Sequence, residues 1–273
     1  MTKLTRIALH GAPRSGTSWL GEVLNSAPQL AYRYQPLFSY AFKDALTPDS
    51  TAGEIDTFFD EIAASQDDFL LQTAQRESGH MPQFSKTTST HVAYKEVRYH
   101  HLPAVILRRN PDVKFVFILR DPRAVIASWL GAGREFRHDL GWDVVREWRA
   151  APSKNQGRPE EFYGFEKWKD SATIFLDLAA RHPQRVRLVW YSDLLASPEE
   201  STEELFRFCD LPVGDQTRDF VTGKISGARD SDYSVFRAPR RRDDTWRAHL
   251  PKTIRESIET ELADTTLSRF LEM

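Results

Sequence analysis

Residues Gly11-Ala-Pro-Arg-Ser-Gly-Thr-Ser18 place two glycines five positions apart and just ahead of two hydroxyl side chains, the spacing of a phosphate-gripping loop. A strand that turns tightly through Gly11 and Gly16 into a helix aims successive backbone N–H groups at one point, where the helix dipole also favours negative charge. Phosphate suits such a point. Where phosphate-loop NTPases carry lysine, this chain has Thr17. Arg14 offers a forked, permanently charged donor instead, Thr17 and Ser18 add hydroxyl donors, and Ser15 and Gly16 complete the loop. Without that lysine there is less reason to expect a γ-phosphate and its Mg²⁺. An ordinary strand-to-helix turn remains the alternative.

The elements that must hold this loop are legible around it. Ile7-Ala-Leu-His10 is a short apolar run closed by Gly11, and Trp19, Leu20, Val23 and Leu24 then recur at helical spacing. Lys114-Phe-Val-Phe-Ile-Leu119 reads as a fully buried parallel strand, Asp121-Pro122 as a helix start, and Ala124 to Leu130 as the helix. Val186-Arg-Leu-Val-Trp-Tyr191 is a third strand, ahead of a helix from Glu199 to Phe208. Alternating strands and helices predict an α/β fold, a central parallel sheet flanked by helices. Thr57 to Gln75 is helical in pattern, and Phe165 to Arg181 is a long helix with an apolar stripe. Ala151 to Pro159 reads as loop; Gly223 to Asp244 is polar, rich in arginine, and open to use as a lid. No repeat or composition break divides residues 1–273, so one domain is expected.

Composition excludes several function classes. Hydrophobic residues make up 40% and charged residues 28%, which disordered chains do not match. Lys plus Arg is 37 against 39 for Asp plus Glu, so nothing supports a general nucleic-acid or anionic-membrane partner, and any basic site must be local. The lone Cys209 cannot form an internal disulfide; it reads as a small buried hydrophobe. No apolar run long enough to span a bilayer occurs, and the first residues lead into a strand instead of a signal-peptide core, so a cytoplasmic protein is expected.

A second segment gives the loop a context. Together with Pro13-Arg-Ser-Gly-Thr-Ser-Trp19, the stretch Arg120-Asp-Pro-Arg-Ala-Val-Ile-Ala-Ser128 resembles the paired motifs of the sulfotransferases that use 3′-phosphoadenosine 5′-phosphosulfate (PAPS). The resemblance implies a P-loop-like sulfotransferase fold, with PAPS as sulfuryl donor, PAP as product and no metal required. It implies that the first motif grips the 5′-phosphosulfate, while Arg120 and Ser128 hold the 3′-phosphate. That is sensible geometry: Arg120 ends a buried strand and Ser128 lies two turns into the next helix, so both reach an anion outside the sheet. Separately, an ion pair of Arg120 with Asp121 or Asp193, and Ser128 as helix filler, stay open. Val189-Trp-Tyr-Ser-Asp-Leu194 is similar to the family's Tyr-Glu-Asp strand end, which implies Tyr191 near the adenine, with Ser192 replacing the Glu. Trp19 would lie against the same ring, or be core. Arg240 to Leu250 resembles a C-terminal basic loop, implying Arg240 and Arg241 over the 3′-phosphate; it is one residue shorter and lacks both glycines, and a solvated charge run is the other reading.

The chemistry implied is in-line transfer to a hydroxyl or amine of a carbohydrate or small natural product, with Arg14 neutralising charge on the bridging oxygen. For the proton, His101-Leu102-Pro103 matches the end of the cytosolic members' Lys-Thr-His-Leu-Pro, making His101 the first choice of base. Lys95-Glu-Val-Arg98 instead matches the Lys-x-x-Arg of carbohydrate-directed members, whose base is a Glu before Pro-Leu. Here that position is Gln35, which cannot take a proton, and leaves Glu96, His100 and His101 as candidates. Lys95 adds positive charge near the sulfonate, whereas Lys86 reads as a plain loop lysine. The aromatic segment from Tyr32 to Phe42 and residues Arg134 to His138 are candidates for lining the acceptor pocket, or for simple packing. A nucleotide kinase with a degenerate loop, and a non-catalytic nucleotide-binding protein, are the competing classes. Oligomeric state leaves no trace in the sequence.

Overall fold

Apolar runs too short for helices and closed by glycine or aspartate become the middle of a parallel sheet. The computed structural model describes residues 3–228, 235–236 and 242–272. Strand β1 (Thr5–Gly11) leads through the glycine loop into α1 (Thr17–Asn25) and out to the edge strand β2 (Leu30–Tyr34). Helices α2 (Ala52–Ala64), α3 (Asp68–Leu71) and α4 (Thr73–Glu77) precede β3 (His91–Glu96). Then follow α5 (Pro103–Arg109), β4 (Val113–Leu119) and α6 (Pro122–Leu130). Short helices α7 (Val144–Ala150) and α8 (Pro152–Asn155) come before the long α9 (Gly164–Arg181), and β5 (Val186–Trp190) completes the sheet. The chain continues through α10 (Tyr191–Ala196), α11 (Pro198–Phe208), α12 (Asp215–Val221), α13 (Trp246–His249) and α14 (Lys252–Leu262).

The strands lie in the order β2-β3-β1-β4-β5, all parallel. From β1 the chain moves outward to one edge, and from β3 it crosses to the other side of β1, so the loops leaving β1 and β4 diverge. Such a switch point opens a crevice outside the carboxyl ends of the strands. Alternation along β4 feeds two cores: Phe115, Phe117 and Leu119 enter one, with Phe58, Phe165 and Phe175, and Val116 and Ile118 enter the other, with Leu20, Leu24 and Phe206. Phe117 stacks on Phe175 of α9 at 4.2 Å between ring centres. Cys209 is fully buried in the second core, its thiol pushed up to about 12 by burial. Among the described residues, no helix is long and apolar enough to cross a membrane.

Four local expectations are corrected. The pattern from Thr57 to Gln75 is not one helix: α2 stops at Ala64, Asp67 caps a new start by accepting from Leu70 N–H at 3.0 Å, and Gln72 turns left-handed at φ 57°. Residues Pro152–Asn155 form a helical turn inside the stretch read as loop. Tyr191 opens α10 instead of ending β5. Lys86 is no plain loop lysine: it donates to the carbonyls of Asn25, Ala27 and Leu30, closing the end of α1, and burial brings it down to about 7.

Beneath the glycine loop lies a buried histidine pair. His10 Nδ1 is 3.1 Å from His100 Nδ1, and His10 Nε2 is 3.2 Å from the Tyr94 hydroxyl. Burial, then repulsion from His101, lowers His10 to about 3, and burial with the neighbouring His10 drives His100 well down. Both are neutral in the fold but charge near 6.5 when unfolded, so the unfolded state binds more protons below that pH and stability falls as pH drops from 6.5 toward 3. Thermal melts from pH 8 to 4 should show a slope of up to about 1.4 kcal/mol per pH unit for each histidine, below pH 6.5. In His100→Asn that slope should shrink; an unchanged slope would rule the pair out as its source.

Candidate active site

The loop that leaves β1 gains its shape from two left-handed residues, Arg14 at φ 69° and Gly16 at φ 92°. Gly11 must also be glycine, since an added Cβ would lie 2.4 Å from Ile118 Cγ2 and 2.7 Å from Thr17 Cγ2. Gly16 caps α1 without a side-chain bond, which leaves the first N–H groups of the helix open to an anion. Tyr191 closes this corner: a Cβ on Gly16 would meet its ring at 2.6 Å.

These elements border one cavity of about 1070 Å³. Arg14, Gly16, Thr17, Ser18, Trp19, Lys95, Arg120, Ser128 and Tyr191 all line it. Ser15 does not; its hydroxyl is buried under the loop without a partner. Arg14 Nε donates to Ser128 Oγ at 3.1 Å, so the two sequence segments, 114 residues apart, meet directly. Arg120 Nη1 donates to the Arg14 carbonyl at 2.6 Å, and its guanidinium lies 4.5 Å from the centre of the Tyr191 ring. Its remaining fork is filled by Asp243, with Nε and Nη2 each 2.6 Å from a carboxylate oxygen. The pairing of Arg120 with Asp121 or Asp193 is thereby corrected, because Asp121 is held by Arg123 at 2.7 Å while it caps α6. Arg240 and Arg241 lie outside the described residues.

Lys95, at the end of β3, is fully buried from bulk solvent except toward the cavity, with Nζ 3.4 Å from Ser18 Oγ and 4.3 Å from the centre of the Tyr34 ring. Burial lowers it to about 7, so an anion arriving beside it would favour the charged form and draw in a proton. Trp19 stacks on Phe220 of α12, ring centres 6.3 Å apart, leaving an apolar aromatic corner at the other end.

The sequence candidates for a base do not come together with these groups. Glu96 is fully buried and off the cavity lining; one oxygen accepts from Leu37 N–H at 2.9 Å, and burial pushes it up to about 8. His100 is sealed in the core. His101 stands outside the lining, packed near the Tyr99 ring at 6.1 Å, with Glu160 and Lys167 as its charged neighbours. Gln35 does line the cavity, left-handed at φ 42°, and its Oε1 accepts from Arg98 Nη1 at 3.1 Å. Arg98 is itself paired with Glu161 at 2.9 Å and covers the Phe38 ring at 3.9 Å. Sequence reasoning missed Glu135, Lys154 and Tyr163 as individual lining residues. The segments Tyr32 to Phe42 and Arg134 to His138 carried a signal, since Tyr34, Phe38, Arg134 and Glu135 line the cavity.

A glycine loop before the first helix, a 2-3-1-4-5 parallel sheet and arginines facing a crevice at the strand ends define an α/β protein with a P-loop-like fold. The pattern of the sulfotransferase family matches residues 6–215, and the chain belongs to that family. Human carbohydrate sulfotransferase 3 is 26% identical over 180 residues, covering 62% of this chain and 36% of that protein. Zebrafish (Danio rerio) carbohydrate sulfotransferase 1 is 25% identical over 179 residues, covering 62% and 41%. The match thus spans about two fifths or less of these relatives' length. Among solved structures, the sulfotransferase domain of the Synechococcus PCC 7002 olefin synthase superposes with a TM-score of 0.58 at 18% identity, covering 98% of this chain and 94% of that one. Mouse sulfotransferase SULT7A1, complexed with PAP, gives 0.54 at 14% identity over 98% and 88%. These two likenesses establish the shared fold.

Gly16→Ala puts a methyl group into the Tyr191 ring and an L-residue at φ 92°, whereas Gly133 has open space around it. Urea unfolding should show Gly16→Ala destabilised by at least about 1–2 kcal/mol, the cost of a left-handed L-residue alone. Gly133→Ala should stay within about 0.5 kcal/mol.

Proposed function

We propose that the chain transfers a sulfuryl group from PAPS to a hydroxyl or amine of a carbohydrate or small-molecule acceptor by in-line displacement. The observation that carries this reading is the convergence of Arg14, Lys95, Arg120 and Ser128 on one cavity beside the uncapped start of α1. Family membership supports it. PAP in the mouse structure supports the choice of nucleotide, and the names of the matched relatives support a carbohydrate acceptor. In this reading the loop N–H groups, Thr17 and Ser18 bind the 5′ side, Arg120 and Ser128 bind the 3′-phosphate, and Trp19 and Tyr191 border the base. Arg120 already holds a carboxylate in its fork, so the position fits an anion. Arg14 and Lys95 stand where positive charge would offset charge leaving with the bridging oxygen. The lone Cys209, unable to form an internal disulfide, is compatible with the cytoplasmic location expected from the sequence.

Thermal shift measurements with PAP, with ATP and Mg²⁺, and without ligand test the nucleotide. PAP at about 100 times its dissociation constant should stabilise by about 2.7 kcal/mol, several degrees in Tm. That shift should disappear at the same concentration in Arg120→Ala and shrink in Ser128→Ala. Stabilisation by ATP and Mg²⁺ alone would sink the proposal.

Asp243 must vacate Arg120 for the phosphate to enter. Asp243→Asn should therefore lower the Tm of the free protein, which loses a buried pairing, and tighten PAP binding by about tenfold, near 1.4 kcal/mol. Calorimetric titration giving equal affinity in both proteins would exclude this competition.

A further inference from the structure

The sulfuryl-transfer reading leaves one role unfilled, because a neutral hydroxyl must lose its proton as it attacks. Gln35 has no basic group, and His101 and Glu96 do not reach the cavity. Among the described residues no histidine or aspartate lines it, and the lining carboxylates are Glu135 and Glu199. Glu199 is exposed at the start of α11, on the rim beside Leu195 and Pro198.

Glu135 is placed differently. It sits just after α6 in a tight turn, where its own N–H and that of Phe136 both bond to the Ala132 carbonyl at 2.8 Å. Phe136 is fully buried against Trp129, ring centres 5.3 Å apart, so the turn is anchored in the core. Glu135 Oε1 lies 3.4 Å from Arg14 Nη1. Oε2 is buried and has no hydrogen-bond partner, so one oxygen is held by the loop arginine and the other carries an unmet demand for a donor. Lys95 and Lys154, both on the cavity wall, each sense the charge of Glu135. That puts the carboxylate between the phosphate loop and the aromatic end formed by Tyr34, Phe38 and Tyr163.

We infer that Glu135 is the catalytic base of this chain, taking the acceptor proton on its carboxylate in place of the glutamate that Gln35 replaces. The inference rests on the sulfuryl-transfer reading. In the step, the acceptor O–H bond breaks and its proton passes to Glu135, while the acceptor oxygen bonds to sulfur. The bond from sulfur to the bridging oxygen breaks, and its electron pair leaves with PAP. Arg14 serves both ends, orienting the base through Oε1 and facing the departing oxygen. Gln35, meanwhile, is free to hold Arg98 over Phe38 as part of the acceptor wall.

The test compares wild type and Glu135→Gln with ³⁵S-labelled PAPS, reading label on three acceptors: methyl glycosides, p-nitrophenol, which is acidic enough to be partly ionised near neutral pH and so depends less on a base, and water. PAP binding is measured in parallel by calorimetry. Expected is a loss of about 100-fold or more in kcat on the glycosides, the usual contribution of a positioned base, with less than about tenfold on p-nitrophenol. PAP affinity should be kept or improved, and Glu135→Asp should recover part of the glycoside rate. Equal losses on both acceptor types, or a parallel loss of PAP binding, would make Glu135 a structural partner of Arg14 and overturn the inference. So would wild type that binds PAP yet releases no label to any acceptor or to water, an outcome that leaves the nucleotide site standing. A wild type that fails to bind PAP would instead remove the reading beneath it.

Discussion

One buried guanidinium joins four separate pieces of this chain. Arg120 ends β4, bonds the carbonyl of Arg14 in the loop after β1, lies on the ring of Tyr191 at the start of α10, and grips Asp243 near the C-terminus. A buried cation costs several kcal/mol unless its donors are met, and here they are met by a carbonyl and a bidentate carboxylate. The left-handed turn at Arg14 is strained for an L-residue, and the bond from Arg120 helps to hold it. Loop shape, crevice and C-terminal closure therefore depend on the same group.

The fold was legible where burial alone decided it. Strands β1, β4 and β5 each hold a short apolar run, residues 7–9, 115–119 and 188–190, and the run in β4 is buried on both faces of the sheet, which made these strands readable. Strand β3 was not, since His91-Val-Ala-Tyr-Lys-Glu96 carries a lysine and a glutamate that look like surface. Its residues are nonetheless all buried. Their polar ends escape bulk water only because the strand stops at the crevice, where Lys95 meets Ser18 and Glu96 meets the Leu37 N–H. Charges at the carboxyl end of a central strand mark a site, and periodicity cannot separate that from exposure.

The candidate site divides the same way. Residues in the two short motifs converge on the cavity because each motif straddles a strand end and the following helix, so local spacing carries the geometry. Pairings across the chain could not be read: Arg98 with Glu161, Arg14 with Glu135, and Arg120 with Asp243 span 63, 121 and 123 positions. The cavity wall around Gln35 is built from such a pairing and from side chains such as Phe38 and Tyr163 on short or irregular segments, which have no period. His101 was misplaced for a related reason: Tyr99 turns left-handed at φ 58° after β3, and the histidines that follow do not line the cavity.

Asp243 also bears on how this pocket meets the salt around it. An arginine left open to solvent gathers counterions, which an incoming anion must release, and its affinity then falls steeply with ionic strength. Here the charge at Arg120 is already balanced within the chain by Asp243, so a phosphate entering there would exchange one anion for another. The displaced carboxylate would take up a cation from solution as the phosphate gives one up. Salt should thus bear less on this contact than a pocket bordered by so many cations would lead one to expect.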